Sequence, residues 1–368
     1  MANPRKKKIL IMTATGKSNL GDELILREEI RFLRSRYGDV SITVCTYNPK
    51  VHLIADPSGI RFISYFPNHL LTRPLQNIWY FFSNILTIYR SDIVIVGGGG
   101  IIFDNEPGIS FGNLLRQWYF RTKIARIAGT LLLFWGISLE VSMISSKLAL
   151  KSLFVSGDFI LVRDTRSKEL LEALEVPSVV VHDIVFLYEN EGLKALPGVK
   201  KKRVGISVRG GFLEGTEEAI PQIYDYLVAE GYEPVFLVFT TEGDIEQNDS
   251  LYIKKLMSGR TYNVTKTIDQ TLNVFPFLYA SIAMRFHAGI LSCVHESPCI
   301  HVSYGPKTDE LVNLLEAEHL TIKPNELSLA IFQKMWQNMT TRYDDESARL
   351  KQKNTYIKKE LRHSLETL

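Results

Sequence analysis

An α/β fold built from doubly wound parallel sheets is predicted for this chain. Short apolar runs without clear in/out alternation recur through most of the sequence, as in parallel strands buried on both faces. Longer stretches of helical patterning separate them, and that alternation marks α/β architecture. The segment Glu189–Arg203 then interrupts the pattern with Gly192, Pro197, Gly198 and the basic run Lys200–Arg203, and a fresh apolar run follows at once. Such a break reads as a domain boundary, so two α/β halves are expected.

In the first half the candidate strands are Ile9–Met12, Ser41–Cys45, Ile93–Val96, Leu131–Trp135, Phe159–Val162 and Val179–His182. In the second they are Val204–Val208, Glu233–Phe239, Ile282–Ala283 and Cys299–Val302. Helical patterns include Asp22–Tyr37, Arg166–Leu174 and Ala219–Glu230. The resulting division is a first domain over residues 1–195, a second over 196–330, and a charged helical tail over 331–368, with Lys351–Lys359 as a solvated face. The aromatic stretch Ile78–Phe82 and Ile85–Tyr89 reads as a core helix packed on the sheet. Its alternative is an interfacial patch, a peripheral membrane contact for a lipid-linked acceptor.

At 368 residues and 45% hydrophobic content, the chain can fill two cores. A net charge of +3 carries no nucleic-acid footprint. Cys45, Cys293 and Cys299 lack metal-ligand spacing and sit in apolar contexts, which suits buried thiols in a reducing compartment. The basic run Arg5–Lys8 precedes an apolar run, Ile9–Met12, too short for a signal peptide. Leu131–Ile137 is far shorter than the roughly 20 apolar residues of a spanning helix. A cytoplasmic protein is the expectation.

Chemistry-bearing residues gather at the carboxyl ends of the candidate strands, where ligands bind in open α/β sheets. After the first strand comes Gly16-Lys17-Ser18-Asn19-Leu20-Gly21-Asp22-Glu23. It lacks the Lys-Ser/Thr of a phosphate-binding P-loop and the spacing of a dinucleotide fingerprint. Its glycines permit close backbone approach, and Asp22 is a candidate N-cap for a helix at Glu23 or a substrate ligand. Gly97–Gly100 follow Ile93–Val96, read as a turn that favours ligand approach, with Asp104 as an acceptor for a sugar hydroxyl or a helix cap. Arg209 ends the strand Val204–Val208 and suits bidentate binding of phosphate or carboxylate. Arg285 and His287 flank Phe286, and in extended geometry they project to one side. Arg285, His287 and Lys307, the last beyond Ser303-Tyr304-Gly305-Pro306, can each hold a proton or a charge and point to an anionic substrate. No His-Glu-x-x-His stands in the sequence, and nothing requires a metal.

Taken in order, Asn19–Glu23, Gly97–Gly100, Arg163-Asp164-x-Arg166-Ser167, His182-Asp183, Gly205–Arg209, Arg285–His287 and Ser303–Lys307 resemble the polysaccharide pyruvyl transferase family over residues 9–315. The resemblance implies two Rossmann-like domains facing a cleft in a GT-B-like arrangement. It implies phosphoenolpyruvate as donor substrate, with no further cofactor, and a sugar or lipid-linked glycan as acceptor, so that a pyruvate ketal forms on a cell-surface polysaccharide or its precursor. The departure lies at Lys17-Ser18, where the family often has an aromatic or Gly-rich stretch.

For that chemistry His287 is the candidate general acid, since imidazole ordinarily titrates near neutral pH. Arg285 and Arg209 would hold the anionic groups and stabilise the departing phosphate. Candidate substrate-binding residues are Asn19, Gly21, Asp22, Gly98, Gly99, Asp104, Phe286, Tyr304 and Lys307. The first domain takes the acceptor side and the second the donor side. Two other readings compete: a GT-B glycosyltransferase using a nucleotide sugar, and a non-catalytic protein that binds a phosphorylated metabolite.

Overall fold

The structure, a computed structural model, describes residues 6–50, 52, 57–65, 74–103, 118–141, 144–189 and 202–366. Its contacts divide the chain into two compact units. One comprises Met1–Lys17 and Asp22–Ile184, the other Ser18–Gly21 and Val185–Leu368.

The first unit carries β1 (Lys7–Met12), α1 (Leu20–Tyr37), β2 (Val40–Thr46), β3 (Ile60–Ser64), α2 (Pro74–Tyr89), β4 (Ile93–Phe103), α3 (Phe120–Ile127), β5 (Leu131–Glu140), α4 (Ile144–Phe154), β6 (Phe159–Val162), α5 (Thr165–Glu172) and β7 (Val179–Val180). The strands form one sheet in the order β3-β2-β1-β4-β5-β6-β7, and the β1 pairings to β2 and β4 are parallel. Ile9, Leu10, Ile11 and Met12 are all buried. That explains why β1 reads as a continuous apolar run rather than an alternating one.

The second unit carries β8 (Arg203–Ser207), α6 (Ala219–Ala229), β9 (Glu233–Phe236), α7 (Asp249–Leu256), β10 (Asn263–Val264), α8 (Ile268–Val274), β11 (Ala280–Ala283), α9 (Phe286–Val294), β12 (Cys299–Val302), α10 (Pro306–Leu315), β13 (Thr321–Ile322), α11 (Leu329–Thr341) and α12 (Tyr343–Glu366). Its sheet runs β10-β9-β8-β11-β12-β13. Both sheets therefore start centrally, wind outward to one side, and cross back to the other. That is the doubly wound, Rossmann-like order, with a switch point between β1 and β4 in one and between β8 and β11 in the other.

The chain from Leu329 onward packs onto this second unit. Leu350, Ile357, Leu361 and Leu365 form the buried stripe of α12, the Tyr343 and Tyr279 rings stack at 4.3 Å, and Ser347 Oγ donates to the Glu296 carbonyl at 2.8 Å. Lys351 and Lys359 lie on the exposed side.

Several elements differ from the sequence expectation. The glycines after Val96 do not end the strand: β4 runs on through them to Phe103, with a register shift between Gly99 and Ile102. Likewise α1 begins at Leu20, so Asp22 lies in its first turn and is not the N-cap. Strands β3, β10 and β13 have no counterpart in the apolar runs. All three are edge strands, and two have only two residues, so little buried surface marks them in the sequence. Burial pushes the thiols of Cys45 and Cys293 up to about 12 and that of Cys299 to about 11, as inert core thiols.

Candidate functional site

At the switch point of the second unit, Ser207 of β8 stands beside Ala283 of β11. Continuing past that pair in step, β8 leads to Arg209 and β11 to Arg285. The two strand ends are tied together. Ser207 Oγ accepts from the backbone N–H groups of Met284 at 3.1 Å and Arg285 at 3.2 Å, and the Arg209 N–H meets Met284 Sδ at 3.2 Å.

Beyond Arg285 the chain turns helical at once, because the N–H of Ala288 bonds back to the Arg285 carbonyl at 3.0 Å. Arg285 is thus the residue before α9, and His287 lies in the first turn of that helix. This corrects the expectation that both project from one side of an extended strand. The N-terminus of α9 gives the site a positive helix end as well as two guanidinium groups.

Arg285 is held by a residue that sequence reasoning missed. Its guanidinium pairs with the fully buried carboxylate of Asp249, at the start of α7. The same carboxylate accepts from the backbone N–H groups of Phe239 at 2.8 Å and Thr240 at 3.1 Å. Burial pushes the Asp249 carboxyl above its ordinary range, by more than Arg285 and the backbone donors pull it down. The Arg285 Nε is buried and has no hydrogen-bond partner among the described residues. Asn248-Asp249 before an apolar stretch does signal a helix start, but nothing local signals an arginine 36 residues away.

Arg209 is placed differently. Its Nη1 donates to the Tyr304 hydroxyl at 3.0 Å, and its guanidinium lies 5.1 Å from the Phe212 ring centre and 5.3 Å from that of Tyr304. Those two rings are 4.4 Å apart. Among the described residues no carboxylate pairs with Arg209, so its charge is oriented by aromatic faces without being neutralised. Ser303 Oγ, after β12, bonds Asp309 at 2.5 Å, and the Gly305 N–H donates to Thr308 Oγ1 at 3.1 Å. These bonds shape the turn that carries Tyr304 and leads to Lys307 in the first turn of α10.

The segment Ser18–Gly21 completes this edge of the second unit. The Leu20 N–H donates to the Phe239 carbonyl at 2.8 Å, and Asn19 forms an antiparallel bridge with Thr240. Asn19 Oδ1 accepts from the Gly21 N–H at 3.1 Å. A Cβ on Gly21 would fall 2.0 Å from His287 Nδ1, so only glycine leaves room for the imidazole. Asn19, Gly21 and His287, remote in sequence, therefore meet.

In the first unit the glycine run has a packing role. A Cβ on Gly97 would lie 2.7 Å from Glu29 Oε1, one on Gly98 would lie 2.4 Å from Ile25 Cγ2, and one on Gly99 would lie 3.4 Å from Asp22 Oδ1. The glycines thus let α1 lie directly on β4, where the sequence suggested room for ligand. Gly98 and Gly99 also adopt φ of +75° and +89°, which favours glycine there. In the same unit Arg163 pairs with buried Asp183 at 2.9 Å. Asp164 caps α5 by accepting from the Ser167 N–H at 2.7 Å, and Ser167 Oγ accepts from the Leu139 N–H at 2.8 Å. Asp183 and deep burial together raise the Glu29 carboxyl well above its ordinary range, burial being the larger cause. Asp104 lies outside the described residues. Among the described residues no three His, Cys, Asp or Glu side chains gather as a metal site.

The polysaccharide pyruvyl transferase family model matches residues 19–306, from the Asn19 segment through the turn that precedes Lys307. The chain belongs to this family. It is a family of transferases acting on polysaccharide. No curated protein matches the sequence. Among solved structures, a glycosyltransferase from Rickettsia africae is similar at 13% identity and TM-score 0.61, covering 99% of this chain and 98% of its own. The Anabaena protein HepE, in complex with UDP and glucose, is similar at 12% identity and TM-score 0.57, covering 98% and 100%. A UGT transferase from Siraitia grosvenorii in complex with UDP follows at 10% identity and TM-score 0.53, covering 97% and 96%. At these identities the likeness shows the fold alone. The fold class is the expected one, Rossmann-like α/β with GT-B glycosyltransferases as structural neighbours.

Proposed function

We propose that this member of the pyruvyl transferase family moves the pyruvyl group of phosphoenolpyruvate onto a sugar of a cell-surface polysaccharide or its precursor, forming a pyruvate ketal. One observation carries the reading: Arg209, Arg285 and His287 converge on paired strand ends at the switch point of the second sheet. The donor has a phosphate and a carboxylate, and the two guanidinium groups match two anionic groups. Arg209, which pairs with no carboxylate among the described residues, takes one of them. Arg285, fixed by Asp249, offers its remaining donors to the other.

In this reaction His287 gives a proton to the terminal enol carbon, which becomes the methyl group. One sugar hydroxyl adds to the neighbouring carbon and loses its proton. A second hydroxyl then displaces phosphate and closes the ketal; the phosphate leaves with the enol oxygen and takes up that hydroxyl's proton. Positive charge from Arg209, Arg285 and the α9 N-terminus stabilises the departing phosphate. Asn19 and Gly21 position the imidazole.

The test is incubation with phosphoenolpyruvate and candidate lipid-linked or nucleotide-linked sugars. Phosphate release should require acceptor, and the product should gain the mass of pyruvate less water. The rival reading, transfer from a nucleotide sugar, draws only on a fold shared with structures in complex with UDP. Thermal stabilisation by a uridine diphosphate sugar and not by phosphoenolpyruvate would establish it instead. Gly21→Ala should displace the imidazole by about 1 Å and lower turnover by about 100-fold, measured as phosphate release at saturating donor.

A further inference from the structure

The outward face of α2 is not explained by the fold. The helix is anchored through Asn84, whose side chain donates to the Ser64 carbonyl at 3.1 Å and accepts from Cys45 Sγ at 3.2 Å. With Ile88 it forms the buried side, so the helix cannot roll to cover its other side. There Trp79 is 71% exposed, Phe82 62%, Leu86 47% and Tyr89 52%. These four fall on one stripe of the helix. Neighbouring α3 extends the surface. The Phe81 and Phe120 rings stack at 5.8 Å, and Phe120 and Ile127 are 44% and 75% exposed.

The charge pattern says what such a surface meets. No residue of α2 is charged, and α3 carries Arg121, Lys123 and Arg126 without an acid. Arg121 is buried and Arg126 pairs with Asp158. Lys123, on the Phe120 side of α3, and Arg90, just past α2, have no carboxylate partner among the described residues. Exposed Trp, Tyr, Phe and Leu beside Lys123 and Arg90, on helices that carry no acid, are what a lipid headgroup boundary with negative charge accommodates. A protein partner on such a stripe would ordinarily be chosen by flanking charges on the helix itself, and α2 has none.

We propose that α2 and α3 form a docking surface for an anionic bilayer, with the Trp79–Tyr89 stripe seated among the headgroups. This holds whether or not the pyruvyl reading does, since the surface lies on helices that carry none of the residues assigned to the reaction.

The chain has four tryptophans, and Trp118, Trp135 and Trp336 are buried, so Trp79 dominates any change in emission on docking. The experiment adds vesicles of phosphatidylcholine, with and without phosphatidylglycerol, to the full-length protein. It records tryptophan emission and flotation. Expected are a blue shift and co-flotation with anionic vesicles that weaken at high salt. Affinity should fall about tenfold in Trp79→Ser or Phe82→Ser, and in Lys123→Glu for anionic vesicles only. Equal binding to neutral vesicles, or binding untouched by Trp79→Ser and Phe82→Ser, overturns the proposal. So does a dimer in sedimentation that Phe82→Ser dissociates, which would assign the stripe to a second copy of the chain.

Discussion

His287→Ala should lower the rate of pyruvyl transfer by about 10²–10⁴-fold, the range for losing a positioned general acid. The loss should fall on turnover, because the anion-holding groups Arg209 and Arg285 remain. The imidazole is half-buried and contacts Gly21 and the Phe286 ring, the latter at 5.2 Å between ring centres. Truncation therefore opens a modest space at the start of α9 and leaves the sheet untouched. Circular dichroism should be unchanged. His287→Gln, which keeps a hydrogen-bonding side chain but cannot carry the proton, should be nearly as slow. Full activity in either variant would remove His287 from the mechanism.

Asp249→Ala should produce the largest loss of stability in the second unit, about 3–5 kcal/mol, as expected when one partner of a buried ion pair is removed. Three consequences arise together. The Arg285 guanidinium, 14% exposed, is left charged and unpaired. The backbone N–H groups of Phe239 and Thr240 lose their acceptor. The segment that holds Leu20 and Asn19 then loosens. Asp249→Asn keeps an oxygen for the backbone donors and should cost less. Urea unfolding checks the stability. In the milder variant, a raised KM for phosphoenolpyruvate with a smaller change in kcat would mark a disturbed Arg285, which a purely structural residue would not produce.

Much of this was legible in the sequence, for identifiable reasons. Internal strands such as Phe159–Val162 and Cys299–Val302 are mostly buried, so they appear as short, largely apolar runs with the observed bounds. The edge strands β3, β10 and β13 bury too little to leave that signal. Arg209 and Arg285 were found because each follows such a run. Asp249 was not, because ion pairing across the sheet edge has no local pattern. The glycine run was visible, but its cause was not. Four glycines announce that something approaches the backbone, and only the structure distinguishes a ligand from Ile25 and Glu29 of α1. The motif residues Arg163 and Asp183 were similarly ambiguous until their buried pairing was seen.

The seating of Ser18–Gly21 within the second unit has a consequence for how this protein can be taken apart. A carboxyl-terminal piece cut anywhere in 190–201 loses Leu20, whose side chain is fully buried, and the strand-like bridge from Asn19 to Thr240. Such a piece is an incomplete module with a vacant slot beside His287. Hybrids that exchange the second half between relatives must therefore carry residues 18–21 along with it, so the unit of exchange is discontinuous in sequence.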